Sequence, residues 1–323
     1  MRDLIVLTGP TAVGKTELSL ELAQKIDAEI ISADSMQIYQ QMDIGTAKAS
    51  KTERELVDHY LIDFLTPEAD YSVSRFQDDC DQTIAEIKAR NKKPMLVGGT
   101  HLYLRAVLEG FMLPEIEPDY ELRQKLEELA DVQGTEAVHA ILAKKDEVTA
   151  EKLHPNDLRR VIRAIEIYEQ TGKTKSFYKK QQLARPPRYT AYKFALIRSR
   201  ENLYQRINQR VDLMLENGLL EEVKYLLNNY DNLSDTAQQA LGYKELISYL
   251  EGDFSLEEAV YEIKKRSRHF AKRQLTWLRK EDDLIVFNIE NENKDDILNT
   301  MLKLIKGEKN YEREFQKRKE IDF

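Results

Sequence analysis

Cysteine is nearly absent from this sequence, since Cys80 is the only one among 323 residues. A single cysteine cannot form a disulfide within the chain or build a zinc cluster, which excludes both kinds of cross-link. Long apolar runs are also missing, because no stretch approaches the roughly 18 residues that a membrane-spanning helix needs. The first residues lead directly into a predicted strand, which a cleaved signal peptide would remove. We therefore expect a cytoplasmic protein without membrane contact.

The chain also lacks an excess of positive charge, because its formal net charge is −8. This balance argues against a protein coated with nucleic acid over its whole surface. Two segments are nevertheless strongly basic: residues 159–193 contain only Glu166 and Glu169 as acids, and residues 264–280 contain none. Segregated charge of this kind suits a polyanion bound on one side of the molecule, although two solvated helical faces would give the same pattern.

A phosphate-binding loop is the clearest motif, since GPTAVGKT at residues 9–16 fits G-x-x-x-x-G-K-[ST] without a mismatch. In such a loop, backbone N–H groups and the start of the following helix surround phosphate oxygens. Lys15 would bring a positive charge, and the Thr16 hydroxyl would bind Mg²⁺, the cofactor that we expect. The residues predicted to bind phosphate are Gly9, Pro10, Thr11, Ala12, Val13, Gly14, Lys15 and Thr16.

Short continuous apolar runs alternate with helical patterns along the chain. The predicted strands are 4–7, 30–32, 60–62, 95–97, 194–197 and 284–289. Continuous apolar strands are covered on both faces, which favours an α/β fold, a P-loop NTPase-like doubly wound parallel sheet flanked by helices.

A stretch without strand patterns interrupts this core. It predicts an all-helical insertion domain at 115–188, with residues 1–114 and 189–306 forming the α/β core. The charged tail, residues 307–323, is expected to fray.

Two side chains are predicted to lie beside the phosphate loop because each follows a strand. Asp34 comes after strand 30–32, and Thr100 comes after strand 95–97 and two glycines. The carboxyl ends of parallel strands are where such sheets bind ligands. A turn-capping role for Asp34 and a helix N-cap role for Thr100 are the alternatives. Asp63, at the end of another apolar run, resembles the acidic metal-site strand of nucleotide hydrolases.

A series of sequence blocks carries a more specific resemblance. In order from residue 9 to 280, the blocks are GPTAVGKT, SADSMQIY with MDIGTAK, GGTHLYLRA, HPNDLRRVIRAIE, QRINQRVDLML, LGYKEL and KRQLTWLRK. Together they resemble the signature blocks of tRNA dimethylallyltransferases, which attach an isoprenoid to adenosine 37 of tRNAs that read codons beginning with U. Eukaryotic members carry a C-terminal zinc finger that Cys80 alone cannot supply, so the chain resembles the bacterial form.

The resemblance implies that the phosphate loop holds the diphosphate of dimethylallyl diphosphate, which leaves when the isoprenoid is transferred. It also implies that Asp34 takes a proton from adenine N6 as the general base. Thr100 would hydrogen-bond the departing oxygens or the tRNA, and Lys15 would stabilise the leaving group. Arg210 is a predicted further diphosphate clamp, with Arg206 as its rival.

The implied macromolecular partner is the tRNA anticodon stem-loop, bound by a monomer. In the segment 263–280, Lys265, Lys272 and Arg279 form a line that is expected to meet RNA. A second line, Ile263, Phe270 and Trp277, is expected to pack in the core. The predicted tRNA-binding residues are Asp34, Ser35, Met36, Gln37, Thr100, Arg123, Arg159, Arg160, Val161, Ile162, Arg163, Lys265, Lys272, Arg273, Trp277 and Arg279.

Three other functions share parts of this pattern. A small-molecule or nucleotide kinase has the same loop and sheet, but the insertion is long for a lid and the second basic segment would have no role. An isopentenyltransferase acting on free adenine nucleotides would have little use for two polyanion faces. A non-catalytic RNA-binding regulator would leave Lys15, Thr16 and Asp34 without a purpose.

Overall fold

A computed structural model describes residues 2–112, 114, 116–281 and 283–318. Position 115, where the insertion is predicted to begin, and positions 319–323 of the predicted tail lie outside these residues. The chain divides into two compact units, one formed by Met1–Leu108 with Tyr189–Phe323 and the other by Glu109–Arg188. No described helix is long and apolar enough to cross a bilayer.

The first unit is built on a parallel sheet of six strands. Its strands are β1 Leu4–Thr8, β2 Ala28–Ser32, β3 His59–Tyr60, β4 Lys93–Gly98, β5 Ala191–Ile197 and β6 Ile285–Asn288. Their spatial order is β3-β2-β4-β1-β5-β6, and every pairing between them is parallel. The chain moves from β1 to one side and later returns to the other side, which confirms the predicted doubly wound α/β fold.

Helices cover both faces of this sheet. They are α1 Lys15–Ile26, α2 Lys51–Leu56, α3 Val73–Ala89, α4 His101–Glu109, α10 Arg200–Glu216, α11 Leu219–Asn229, α12 Asp235–Gln238, α13 Tyr243–Leu250, α14 Leu256–Leu278, α15 Lys294–Ile305 and α16 Tyr311–Arg318. Leu7 and Ile5 of β1 pack into one apolar cluster, whereas Leu4 and Val6 pack into another. Alternate residues of a strand point to opposite faces, so a strand buried on both faces needs an unbroken apolar run.

The second unit is helical in its described residues. Its helices are α5 Tyr120–Gln133, α6 Thr135–Lys145, α7 Glu147–Ala150, α8 Leu158–Thr171 and α9 Lys175–Leu183. Its apolar core includes Leu126, Val138, Leu142, Val161 and Ile165.

The charged tail does not fray over residues 311–318, so this expectation was wrong there. Helix α16 begins at the buried Tyr311, whose hydroxyl accepts a hydrogen bond from Lys193 N at 2.8 Å and lies 2.8 Å from Asp283 O. Arg318 extends over the ring of Phe287, 4.3 Å from its centroid. These apolar and polar contacts fix a segment whose charge density alone suggested disorder.

Candidate active site

The phosphate loop, residues 9–16, joins β1 to α1 through backbone conformations that favour glycine. Gly9 and Gly14 have φ angles of 150° and 107°, and Ala12 lies between them at 63°. A Cβ atom on Gly9 would lie 2.6 Å from Leu196 O, so no larger residue fits there. Successive N–H groups in such a turn, next to a helix N-terminus, form a concave anion site.

Three side chains hold the loop by its outer backbone groups. Arg198 Nε donates to Val13 O at 3.0 Å, and Arg206 Nε donates to Ala12 O at 2.9 Å. Gln274 Oε1 accepts from Thr11 N at 2.8 Å. Sequence reasoning missed Arg198 and Gln274, because each lies far along the chain from the loop. Only the block KRQLTWLRK marked the position of Gln274.

Lys15 lies folded over the loop that precedes it. Its Nζ donates to Gly9 O and Pro10 O, both at 2.9 Å. Burial lowers the pKa of Lys15 to about 8; the nearby Asp34 carboxylate raises this pKa and the Arg210 guanidinium lowers it further. The three charged groups therefore lie close enough to influence one another electrostatically, although they come from α1, the end of β2 and α10.

Asp34 and Thr100 lie on neighbouring turns at the ends of β2 and β4. The Thr100 hydroxyl oxygen accepts from Ser35 N at 3.1 Å, and Thr100 N donates to Ala33 O at 3.1 Å. Asp34 Oδ1 accepts from Met36 N at 3.0 Å, which is the turn-capping contact considered as an alternative role. Asp34 also acts electrostatically on Lys15, so it belongs to the loop environment as well as to its own turn.

The residues after Asp34 are held by a second loop. Gln37 Nε2 donates to Thr46 O and Ala47 O, both at 3.3 Å, while Ser32 Oγ donates to Gln37 Oε1 at 3.2 Å. Met36 is partly buried and packs against the apolar cluster on that side of the sheet. These hydrogen bonds and apolar contacts hold residues of the block SADSMQIY in place.

Arg210, not Arg206, lies on the Lys15 and Asp34 side of the loop. Burial lowers the pKa of Arg210, and the carboxylate of Asp34 raises it in part. Its terminal nitrogen lies 3.5 Å from Thr46 O. Arg206 is exposed and contacts the outer carbonyl of Ala12. Of the two rivals, Arg210 is the one whose charge interacts with Lys15 and Asp34.

Asp63 lies in an ion-pair cluster. Its carboxylate accepts from Lys48 Nζ at 2.8 Å and from Arg54 at 3.0 Å. Burial alone would raise the pKa of Asp63, but these two hydrogen bonds lower it. A carboxylate that already forms ion pairs with two cationic side chains is a poor candidate for a metal ligand.

Magnesium would find few protein ligands at the phosphate loop. The described residues contain no group of three or more His, Cys, Asp or Glu residues suited to a metal ion. Thr16, the first-turn residue of α1 predicted to bind the metal, is exposed. Mg²⁺ keeps several waters and is commonly held through substrate phosphates together with one or two protein groups. A single hydroxyl beside a diphosphate site fits that donor set.

His101 was not predicted, yet it is a buried polar residue of this region. Its Nε2 has no hydrogen-bond partner among the described residues. Burial lowers the pKa of His101 to about 4, Lys15 lowers it further, and a hydrogen bond to the Gly99 backbone raises it in part. The imidazole is therefore neutral at physiological pH.

In the helical unit, a buried carboxylate binds two of the predicted tRNA contacts. Glu166 is fully buried and accepts from Arg123 Nε at 2.8 Å and from Arg163. Arg159 and Arg160 are exposed near the start of α8, where Arg160 pairs with Asp157 at 3.0 Å.

The side chains of Val161 and Ile162, two of the residues predicted to contact tRNA, do not lie at the surface. Both are buried in the core of the helical unit. On a helix, residues adjacent in sequence point about 100° apart, so a run such as RRVIR cannot present all its side chains to one surface. Its arginines face outward because its aliphatic residues face inward.

The basic residues of α14 fall into two groups. In the middle of the helix, Lys264 pairs with Asp212 at 2.5 Å and Lys265 pairs with Glu262 at 2.8 Å. Four cations in its last turns and directly after it are exposed; we call them the basic end of α14: Lys272, Arg273, Arg279 and Lys280.

Trp277 does not pack in the core, so the expected apolar line holds only in part. Ile263 is buried and Phe270 is half-buried, but Trp277 is 41% exposed, with Arg105 and Lys280 over its ring. Residues seven apart drift by about 20° per heptad around a straight helix, so such a line leaves the buried face. The buried positions near this end of α14 are Ala271, Gln274, Leu275 and Leu278.

The arrangement can bind an anion and accept a proton beside it. The phosphate loop, Lys15 and Arg210 supply hydrogen-bond donors and positive charge. Asp34 supplies a carboxylate in electrostatic contact with both cations. Fixed charge of this kind stabilises negative charge that develops on a leaving group.

Comparison with known proteins finds relatives over most of the chain. A family model described as IPP transferase matches residues 37–281. A tRNA dimethylallyltransferase from Halothermothrix orenii is 56% identical over 286 residues, which cover 88% of this chain and 87% of the relative. One from Carboxydothermus hydrogenoformans is 49% identical over 294 residues, 91% of this chain and 94% of the relative.

Solved structures are similar over nearly the full chain. The full-length tRNA isopentenylpyrophosphate transferase from Bacillus halodurans is 40% identical, with a TM-score of 0.71 over 98% of this chain and 99% of that one. A eukaryotic dimethylallyltransferase acting on tRNA is 30% identical, with a TM-score of 0.76 over 95% of this chain and 80% of that one.

Proposed function

The chain belongs to the IPP transferase family, and we propose that it transfers a dimethylallyl group from dimethylallyl diphosphate to N6 of adenosine 37 in tRNAs that read codons beginning with U. The observation that carries this proposal is the electrostatic interaction of Lys15, Arg210 and Asp34 at the phosphate loop. The first two suit a diphosphate, and the third suits a proton acceptor beside it. The curated relatives, named as tRNA dimethylallyltransferases, support the same reaction.

In this reaction the phosphate loop would stabilise the diphosphate leaving group. When the bond between C1 of the dimethylallyl group and the diphosphate oxygen breaks, the oxygen keeps the electron pair and gains negative charge. Loop N–H groups, Lys15 and Arg210 surround the position that we assign to this oxygen. Such preorganised donors are commonly the largest catalytic contribution of an enzyme.

Asp34 would act on the nucleophile, adenine N6. Adenine N6 forms the new bond to C1 and must lose one proton, which the Asp34 carboxylate accepts. General base catalysis of this kind contributes typically about 10²–10⁴-fold. Thr100 accepts a hydrogen bond from Ser35 N beside Asp34, and Gln37 follows on the same segment, which supports the proposal that these side chains hold the base.

Magnesium is part of the proposal. Thr16 would hold it together with diphosphate oxygens and water. When bound, Mg²⁺ would neutralise part of the diphosphate charge. The positive charges of Lys15 and Arg210 would also neutralise part of the diphosphate charge.

The tRNA substrate accounts for the exposed cations. Adenosine 37 lies in the anticodon loop, where an unpaired base can be splayed out at low energetic cost. In the first unit the basic end of α14, and separately in the second unit the exposed arginines of α8, would contact tRNA phosphates. We propose that a monomer carries out the reaction, which light scattering of the protein with one tRNA would test.

Incubation with labelled dimethylallyl diphosphate, Mg²⁺ and unmodified tRNA tests the function. We expect label in a transcript with adenosine at position 37 and none in a matched transcript with guanosine there. A parallel incubation with labelled ATP and small-molecule acceptors tests the kinase alternative. Phosphoryl transfer from ATP without prenylation of tRNA would overturn the proposal.

A further inference from the structure

Gln274 is a buried polar residue of α14 that joins two loops of the site. Its side chain is 4% exposed. Its Oε1 accepts from Thr11 N at 2.8 Å, and its Nε2 donates to Gly99 O at 3.0 Å. Thr11 belongs to the phosphate loop, while Gly99 lies directly before Thr100. One amide therefore bridges the loops that follow β1 and β4.

The surroundings of Gln274 determine which way its amide points. Thr11 N can only donate and Gly99 O can only accept, so reversing the amide would lose both hydrogen bonds. The amide also fills the space beside Gly99, where an added Cβ would lie 2.3 Å from Nε2. A buried side chain with both polar ends satisfied is rigid, and losing either bond would leave a buried group unpaired.

A short chain of contacts links this amide to Asp34. Gly99 is followed by Thr100, whose hydroxyl oxygen accepts from Ser35 N at 3.1 Å. Ser35 follows Asp34, whose carboxylate interacts with Lys15 of the phosphate loop. Gln274 thus contacts the loop assigned to the leaving group directly, and it is linked through Gly99, Thr100 and Ser35 to the turn that carries the assigned base.

We propose that Gln274 is a positioning residue that fixes the phosphate loop and the Thr100 loop at the spacing required for transfer. This inference rests on the proposed function. Neither end of the amide has to touch a substrate, because each acts through the backbone group that it holds. A displacement of about 1 Å between reacting groups can reduce a rate about 100-fold.

The variants Gln274→Met and Gln274→Glu test this role. Methionine removes both hydrogen bonds at similar volume. A protonated glutamic acid can replace both, accepting from Thr11 N and donating to Gly99 O, whereas a carboxylate would repel Gly99 O. We expect kcat of Gln274→Met to fall about 100-fold, with KM for tRNA within about threefold because the basic end of α14 is retained. Gln205→Met, an exposed position on α10, is the matched control.

The pH dependence separates positioning from a merely structural role. We expect the kcat ratio of Gln274→Glu to wild type to rise as the pH falls from about 8 to 6, as the new carboxyl becomes protonated. The same ratio for Gln274→Met should stay flat. Melting temperatures define conditions under which each variant is folded. A Gln274→Met enzyme as fast as the Gln205→Met control, or a Gln274→Glu enzyme impaired equally at every pH, would overturn the inference.

Diphosphate binding keeps this test separate from the proposed function. Calorimetry with inorganic diphosphate needs no transfer reaction, and we expect Gln274→Met to bind it about tenfold more weakly than wild type. A wild-type protein that prenylates no tRNA would contradict the proposed function alone. Unchanged diphosphate affinity in a folded Gln274→Met protein would contradict the positioning role.

Discussion

Asp34 shows how one side chain can serve its own turn and a neighbouring site. Its Oδ1 accepts from Met36 N, while its charge acts on Lys15 and Arg210. The first contact needs only an oxygen atom, whereas the second needs a negative charge. A substitution that keeps the oxygen and removes the charge therefore separates the two roles.

We expect Asp34→Asn to lower kcat for prenyl transfer by about 10²–10⁴-fold, because the amide cannot accept the N6 proton. The melting temperature should stay close to that of wild type, since the amide oxygen can still accept from Met36 N. Single-turnover kinetics with saturating tRNA measures the effect. Transfer at the wild-type rate would exclude Asp34 as the general base.

Lys15 gives the site a pH dependence of defined sign. Because its pKa is lowered to about 8, the amine is charged below pH 8 and neutral above it. We expect the affinity for inorganic diphosphate to fall as the pH rises through about 8, since the bound anion requires the charged amine. Calorimetry in EDTA measures this without divalent cations.

Lys15→Arg is the control, because arginine stays charged over the whole range. Its affinity for diphosphate should not fall between pH 7 and 9, where increasing ionisation of the ligand favours binding. The same decline in both proteins would contradict the assignment to Lys15.

Single residues of the site were predicted where a local motif marked them. Lys15 lies in a complete loop pattern, and Asp34 and Thr100 each follow an apolar strand, so their positions followed from the sequence. Gln274, Arg198 and His101 were not singled out, because their roles depend on contacts with residues far along the chain. A hydrogen bond from Gln274 to Gly99 has no signal in either local sequence.

At the scale of elements, α14 shows that a basic helix is not a uniform surface. Lys264 and Lys265 pair with acids, one from α10 and one from the same helix, whereas the basic end is exposed. Exposed surface ion pairs contribute about 0–1 kcal/mol to stability, but each pair reduces the charge available to RNA. The basic end of α14 is therefore the part of the helix that we expect to bind tRNA.

Reversing two charges tests this assignment. We expect Lys272→Glu with Arg273→Glu to raise KM for tRNA at least about tenfold at moderate salt, and to flatten its dependence on salt concentration. Lys264→Glu with Lys265→Glu is the matched control, because those lysines already face acids. An equal effect of both pairs would indicate a general response to net charge.

Helix α16 is the element that sequence reasoning judged least well. Its charge suggested a frayed tail, but the buried Tyr311 joins β5 and the segment before β6 through its hydroxyl. Five of the six strands, in contrast, were predicted because each contains a continuous apolar run between turns. The third was predicted at 60–62 but consists of the half-buried residues His59–Tyr60. One aromatic residue among charges gives no periodic pattern, and its pocket is formed by distant strands.

We expect Tyr311→Ala to lower the free energy of unfolding by about 3–5 kcal/mol, the range for truncating a large buried aromatic residue. Urea denaturation followed by circular dichroism measures the change. Tyr311→Phe, which loses only the hydroxyl, should cost about 1–3 kcal/mol because the backbone groups around it are left unpaired. A wild-type midpoint for Tyr311→Ala would show that the tail does not contribute to stability.

At the scale of the whole molecule, the chain combines one unit made of two distant segments with one unit made of a continuous segment. Glu109–Arg188 contains its own apolar core and the buried Glu166 network. The sequence predicted an insertion here from its helical periodicity and missing strands. It did not show that Val161 and Ile162 lie in that core, because three arginines flank them in the run RRVIR. Such a basic run is equally consistent with a segment that contacts RNA along its whole length.

We expect the fragment 109–188, expressed alone, to fold into a helical domain with a cooperative thermal transition. Its core is internal to the fragment, and its contacts are close in sequence. Circular dichroism and calorimetry check this expectation. The same fragment with Leu142→Asp is the control, because a charge in the core should abolish cooperative melting.

The position of β1 between β4 and β5 has a consequence for the order in which the protein is made. On the ribosome, β1 and β4 emerge early, but β5 emerges only after the entire helical unit has been synthesised. The edge of β1 that later pairs with β5 therefore has unpaired backbone groups until β5 is synthesised, whereas the helical unit can already fold. Such an edge is prone to pair with other chains. We expect the nascent first hundred residues to depend on chaperones until Ala191–Ile197 arrive.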